Sequence, residues 1–235
     1  MNQNLQKHRR TDLMELPLFP LNLVFFPGQA LPLHIFEPRY RELIRYCMKT
    51  DKLFGIILQR EDEVLEPGDE QRKLIGTAAH IRSVEELRDG RMNIMTLGTK
   101  RFQVHKLNTD KSYLTAEVSH YPVLNGQTKR AEELAQRIRP KIVEYVDALS
   151  IATKTKLPLN RLPNNPTSLA FLVAMALRIE NDDKQDLLSL PGIPDILNKE
   201  NYLLWREVAL LQHMVETQEK VEAMTGGPTG YIFPN

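Results

Sequence analysis

"LPLFPLNLVFFPGQALPLHIFEPRYRELI", residues 16–44, decides how the chain is read. Five prolines, Pro17, Pro20, Pro27, Pro32 and Pro38, interrupt a run of Leu, Val, Ile and Phe as dense as a buried core. Proline has no backbone N–H and is excluded from central strands, so it sits at strand ends, edges and bulges. The stretch therefore reads as short core-lining strands, Leu16–Phe19, Val24–Phe26 and Leu31–Phe36, in a chain that turns sharply around a small barrel. Pro38 then opens a helix at its first turn. Tyr40, Leu43, Ile44 and Cys47 recur at i, i+3, i+4 and i+7, one apolar helical face. Arg39, Arg41, Glu42 and Arg45 cover the other face as a solvated surface. Cys47, the only cysteine, reads as a small core residue and permits no internal disulfide, which fits a reducing compartment.

Downstream, the strand signal continues to about Tyr121. "LFGIILQ" at 53–59 reads as a buried strand. Strands follow over about Lys73–Ser83 and Arg91–Leu97, joined through Asp89-Gly90, a strong hairpin turn signal. In "KRFQVHKL", Phe102 and Val104 share one face, and Arg101, Gln103 and His105 the other. "SYLTAEVSHY" alternates in the same way. The loop 61–70 holds six carboxylates around Pro67-Gly68 and reads as solvated, without the spacing of a calcium loop.

The period changes after "YPVLNGQ". Residues 128–151 read as a helix that Pro140 must kink or restart. Thr167–Glu180 reads as a compact apolar helix. A short helix stops at Pro191-Gly192, and a last one runs over about Asp195–Met224. Leu197, Leu204, Val208, Leu211 and Val215 form its stripe, with Trp205 packing at the edge. The expected organisation is a tail at 1–12, a β-barrel unit at 13–122, a helical bundle at 123–224 and a flexible tail at 225–235. The polar, basic tail "MNQNLQKHRRTD" is not a secretory signal, and the other reading is a short organelle-targeting remnant.

The chain has 235 residues and a net charge of +1, which argues against a main task of gripping a polyanion. No run of 18 apolar residues marks a membrane span. No phosphate-binding loop, dinucleotide fingerprint or nucleophile elbow occurs. The six histidines, at 8, 34, 80, 105, 120 and 213, never fall at metal-ligand spacing. These absences predict no catalytic residue, no cofactor and no metal, and so no enzyme.

Three segments carry a resemblance: "LPLFPLNLVFFPGQALPLHIFEPRY", then "RKLIGTAAHI", then "GRMNIMTLGTKRFQV". With "SLAFLVAMAL", "KQDLLSL" and the long last helix, they resemble, over about 13–223, the N-terminal substrate-binding region of the ATP-dependent Lon proteases. The resemblance implies an α+β fold, a PUA-like pseudo-β-barrel followed by an α-helical bundle. With neither an ATPase nor a peptidase module matched here, it implies a stand-alone member of the kind known in bacteria and plastids. The expected place is the cytoplasm, with the plastid stroma second. The expected function is non-enzymatic binding of exposed apolar or unfolded polypeptide segments, or docking to a protease or chaperone partner.

The alternative is RNA binding, by analogy with PUA-like barrels, with phosphate contacts from Arg39, Arg41 and Arg45. A third reading, an adaptor for small ligands or a ubiquitin-like ligase, has no residue here that singles it out. The candidate peptide-binding residues are Phe25, Phe26, His34, Phe36, Arg39 and Tyr40. Adjacent residues of an extended chain point to opposite faces, so one of Phe25 and Phe26 is expected in the barrel and the other outside.

Overall fold

The computed structural model describes residues 13–60, 65–68, 74–156 and 161–225. Its strands are β1 (Met14–Leu21), β2 (Ala30–Ile35), β3 (Leu53–Leu58), β4 (Ile75–Glu86), β5 (Met92–Asn108) and β6 (Thr115–His120). Its helices are α1 (Pro38–Met48), α2 (Lys129–Ala152), α3 (Pro166–Ala176), α4 (Asn181–Ser189) and α5 (Ile193–Thr225). The strand order is β2-β5-β4-β3-β1-β6, and β6 pairs again with β5, which closes the sheet into a barrel. Among the described strands, β1 and β3 are the pair that runs parallel.

Each proline of the opening stretch has a place. β1 pairs with β6 over Met14–Pro17 and with β3 over Leu18–Leu21. Pro17 and Pro20 thus lie in different halves of a strand that changes partner between them, where a missing N–H can point away from a neighbour. Pro32 lies in β2, which among the described strands pairs only with β5. Pro27 precedes Gly28, whose φ of +85° turns the chain. Pro38 is in the first turn of α1. Tyr40, Leu43, Ile44 and Cys47 are all buried on α1, as the spacing predicts. Burial pushes the Cys47 thiol up to about 12, so it stays a packed thiol rather than a nucleophile.

The barrel is filled by rings that glycines make room for. A Cβ on Gly55 or Gly76 would stand 2.6 or 2.5 Å from the Phe102 ring. The β4–β5 hairpin turns at Asp89-Gly90, where Gly90 has φ +79°. The two strands expected over 91–107 are one, β5, because β4 pairs along it from Met92 to Gln103 while β2 takes its first part and β6 its last. At its bend, Gly98 meets the Phe26 carbonyl so closely that no Cβ fits.

The helices form a second core. Leu134, Ile138, Ile142 and Tyr145 of α2 pack with Leu169 and Val173 of α3 and with Leu197, Leu204 and Val208 of α5. α2 continues through Pro140 rather than restarting. α3 stops at Ala176, short of the expected Glu180, and its N-cap is the Asn165 side chain, which accepts from the Ser168 N–H at 3.0 Å. Trp205 does not pack at the edge of the α5 stripe but is 65% exposed. The connector after β6 is tied down: Leu124 N–H donates to Pro191 O at 2.9 Å and Ile193 N–H to Leu124 O at 3.0 Å. Both terminal tails and most of the acidic loop lie outside the described residues.

Glu200 on α5 is fully buried, and neither carboxyl oxygen meets hydrogen-bond geometry. Burial holds its pKa well above the usual carboxylate range, although the Ala174 backbone stands close enough to oppose this in part. The folded protein therefore binds a proton that the unfolded chain releases near the ordinary carboxylate pKa. Stability is lost as pH rises above that value and stops falling above the folded pKa. Glu200→Gln is expected to remove this slope. Its stability relative to the parent should rise steadily as pH increases above the ordinary carboxylate pKa, measured in urea titrations. Parallel pH curves for the two proteins would contradict the assignment.

Candidate functional site

The six candidate residues separate into two sets. Phe25 and Phe26 are each 1% exposed, so neither is the outward aromatic expected from the alternation. Their segment, Val24–Phe26, is not a strand but a strap between barrel and helices. The two rings do point to opposite sides. Phe25 enters the core beneath α1, and Phe26 enters the helical core, 6.4 Å from Phe171. The side facing away from the barrel is covered by a second layer. Tyr40 is also buried, stacked on Phe19 at 4.0 Å.

His34, Phe36 and Arg39 remain at the surface, where β2 passes into α1. Phe36 is 60% exposed, a large apolar ring held outside both cores. His34 stacks beside it at 6.2 Å, and its Nδ1 is 2.8 Å from Asn93 Oδ1 on β5. Asn93 in turn donates to Glu85 Oε2 at 3.2 Å. This network holds the imidazole as a wall beside Phe36. Arg39 lies over the Tyr40 ring at 4.6 Å and pairs with Glu37 at 2.8 Å. Met95, opposite Pro32 in the β2–β5 register, adds a second exposed apolar side chain.

Two of the three cations of the phosphate-contact reading are held in ion pairs. Arg39 is paired with Glu37 and Arg45 with Glu86 at 3.0 Å. Among the described residues, no cluster of His, Cys, Asp and Glu could hold a metal. No described helix is long and apolar enough to cross a membrane.

A second apolar surface lies between α2 and the later part of α5. It is a groove of about 790 Å³ with Val143 and Ile151 on its wall and Glu144, Asp147 and Glu216 beside them. Ile151 is 64% exposed.

A family model described as the ATP-dependent protease La (LON) substrate-binding domain matches residues 15–206. The chain belongs to the Lon substrate-binding-domain family. The match takes in every strand from β1 onward and the helices into α5. The Lon protease of Buchnera aphidicola is 26% identical over 207 residues, 86% of this chain and 26% of that protein. That of Aquifex aeolicus is 26% identical over 205 residues, 85% of this chain and 26% of that protein. The chain thus spans about a quarter of the length of the curated relatives it matches.

Two solved structures share the α+β fold. A Lon N-terminal domain protein from Xanthomonas campestris has a TM-score of 0.57 and 23% identity, covering 80% of this chain and 96% of that one. The N-terminal domain of the Mycobacterium avium complex Lon protease has a TM-score of 0.62 and 18% identity, covering 81% and 98%. The family places the chain as a substrate-recognition module of the Lon type. Sequence reasoning missed Arg101, which it put on the polar face of β5. Arg101 is 2% exposed and joins barrel to helices. No sequence signal marked it, since the helix covering that face begins some eighty residues later.

Proposed function

We propose that this chain binds unfolded polypeptide segments through the β2–α1 corner, with Phe36 as the anchor. The carrying observation is a 60% exposed phenylalanine beside a strand that, among the described strands, pairs on one side only. An extended chain can lie along such an edge and place an apolar side chain against the ring. Pro32 removes a donor from the middle of β2 and blunts simple strand addition. Affinity therefore depends on side-chain contact with Phe36, His34 and Met95 more than on backbone pairing. Arg39 and the rim of Tyr40 border the same corner, and aromatic and Arg side chains are the types that dominate interface energetics.

The test is fluorescence anisotropy with a permanently unfolded, reduced and alkylated protein as client. Phe36→Ser is expected to weaken binding at least tenfold, about 1.4 kcal/mol. Its stability should stay within about 0.5 kcal/mol of the parent, because the ring is already in water. Unchanged client affinity in Phe36→Ser would remove this corner from the reading, and Ile151→Ser in the α2–α5 groove would be the next variant to measure.

A further inference from the structure

A cleft of about 490 Å³ opens between the barrel and the helices, within the range that accepts a small ligand or the end of a peptide. Its floor is apolar, with Phe171, Leu172 and Met175 of α3. Its barrel wall carries Lys100 and Arg101 of β5 and His120 of β6. No residue lining it is acidic. Arg101 is 2% exposed, and its Nε has no hydrogen-bond partner although both terminal nitrogens are bonded. Burial, with the charges of Lys100 and Arg101, holds the His120 pKa below its ordinary value. Burial likewise lowers that of Arg101 to about 10. Two cationic side chains, Lys100 and Arg101, thus share the wall with a neutral imidazole and no carboxylate. Thr167 and Ser168, in the first turn of α3, also line the cleft, so the positive end of that helix adds to the field.

A buried cation without a counter-charge is costly, and an incoming anion would relieve that cost. The apolar floor directly beside the cations selects an anion with an apolar neighbour. We propose that this cleft binds the C-terminal α-carboxylate of a polypeptide whose last side chain is apolar. Only at a chain terminus do carboxylate and apolar side chain branch from one carbon, which suits adjoining charged and apolar walls. An internal Asp or Glu offers the same group on a longer tether. The inference rests on the reading of this chain as a polypeptide binder and adds a preference for chain ends.

The test uses the full chain and three hexapeptides labelled at the N-terminus, read by anisotropy. Two share one apolar sequence ending in Phe, one as the free acid and one amidated. The third is amidated and carries Asp before the Phe. The free acid is expected to bind at least tenfold more tightly than its amide. Lys100→Glu should abolish that difference while leaving the melting temperature unchanged, since Lys100 is exposed. Equal binding of acid and amide, or a difference that survives Lys100→Glu, would overturn the proposal. So would an amidated Asp peptide that matches the free acid, or a short oligoribonucleotide that binds through Lys100 when the free acid does not. If all three peptides fail while the unfolded client still binds, the terminal subsite is wrong and the client surface stands.

Discussion

Phe26→Ala is expected to cost about 3–5 kcal/mol of stability, the range for truncating a fully buried phenylalanine. The residue is 1% exposed and sits in the helical core with Val24, Ile75 and Phe171, yet it belongs to the barrel half of the chain. Its backbone is held as firmly as its ring. The Phe26 N–H donates to the Gln29 side chain at 3.0 Å, and the Thr77 hydroxyl donates to the Phe25 carbonyl at 2.5 Å. The strap cannot shift to fill the lost volume, so most of the cavity should persist. Phe25→Ala should cost about as much by emptying the barrel side. Equilibrium urea unfolding followed by circular dichroism measures both. A loss below about 1 kcal/mol for Phe26→Ala would mean that the ring is not the wedge between the two cores.

Arg101→Leu is expected to destabilise by about 3 kcal/mol or more. One Arg101 nitrogen donates to the Leu188 and Leu190 carbonyls, at 2.5 and 2.6 Å, and the other to Pro122 O at 3.1 Å. Two of these carbonyls end α4, where a cation also opposes the negative end of the helix. Each carbonyl left buried and unpaired costs about 1–3 kcal/mol. Removing a guanidinium that is buried without a carboxylate returns part of this, so the net loss is smaller than the sum. Arg101→Lys should not restore stability, because one ammonium cannot reproduce a planar fork that reaches three acceptors. The same urea titrations apply. A lysine variant as stable as the parent would show that charge, rather than the fork, holds barrel to helices. Tyr121, whose hydroxyl donates to Ser189 O at 2.9 Å, and Gln185, which donates to Ile75 O at 3.0 Å, reinforce the same junction.

The candidate corner was legible in part. His34, Phe36 and Arg39 could be chosen because aromatic and basic residues cluster beside a Pro-Gly turn and a helix start. The cleft beside Arg101 could not be chosen. Its lining comes from the strap, from β5 and β6, and from α3, segments far apart in sequence that share no motif. The exposure of Trp205 was also misread, since a residue beside a stripe is buried only if a neighbouring helix reaches it.

By itself the sequence determined the local periods and their breaks. Alternation marked the strands, the 3.6-residue stripe marked the buried face of α1, and Asp89-Gly90 marked the hairpin, because each depends on residues a few positions apart. It also carried the family, through the proline-punctuated opening stretch. Only the tertiary structure decided what covers each face. Alternation places Phe25 and Phe26 on opposite sides, and Arg101 opposite Phe102, but says nothing of a second layer. The helical half supplies that layer, so Phe26 becomes core and Arg101 becomes a buried junction. Burial is a property of the space around a side chain, and that space is filled here by residues more than eighty positions away.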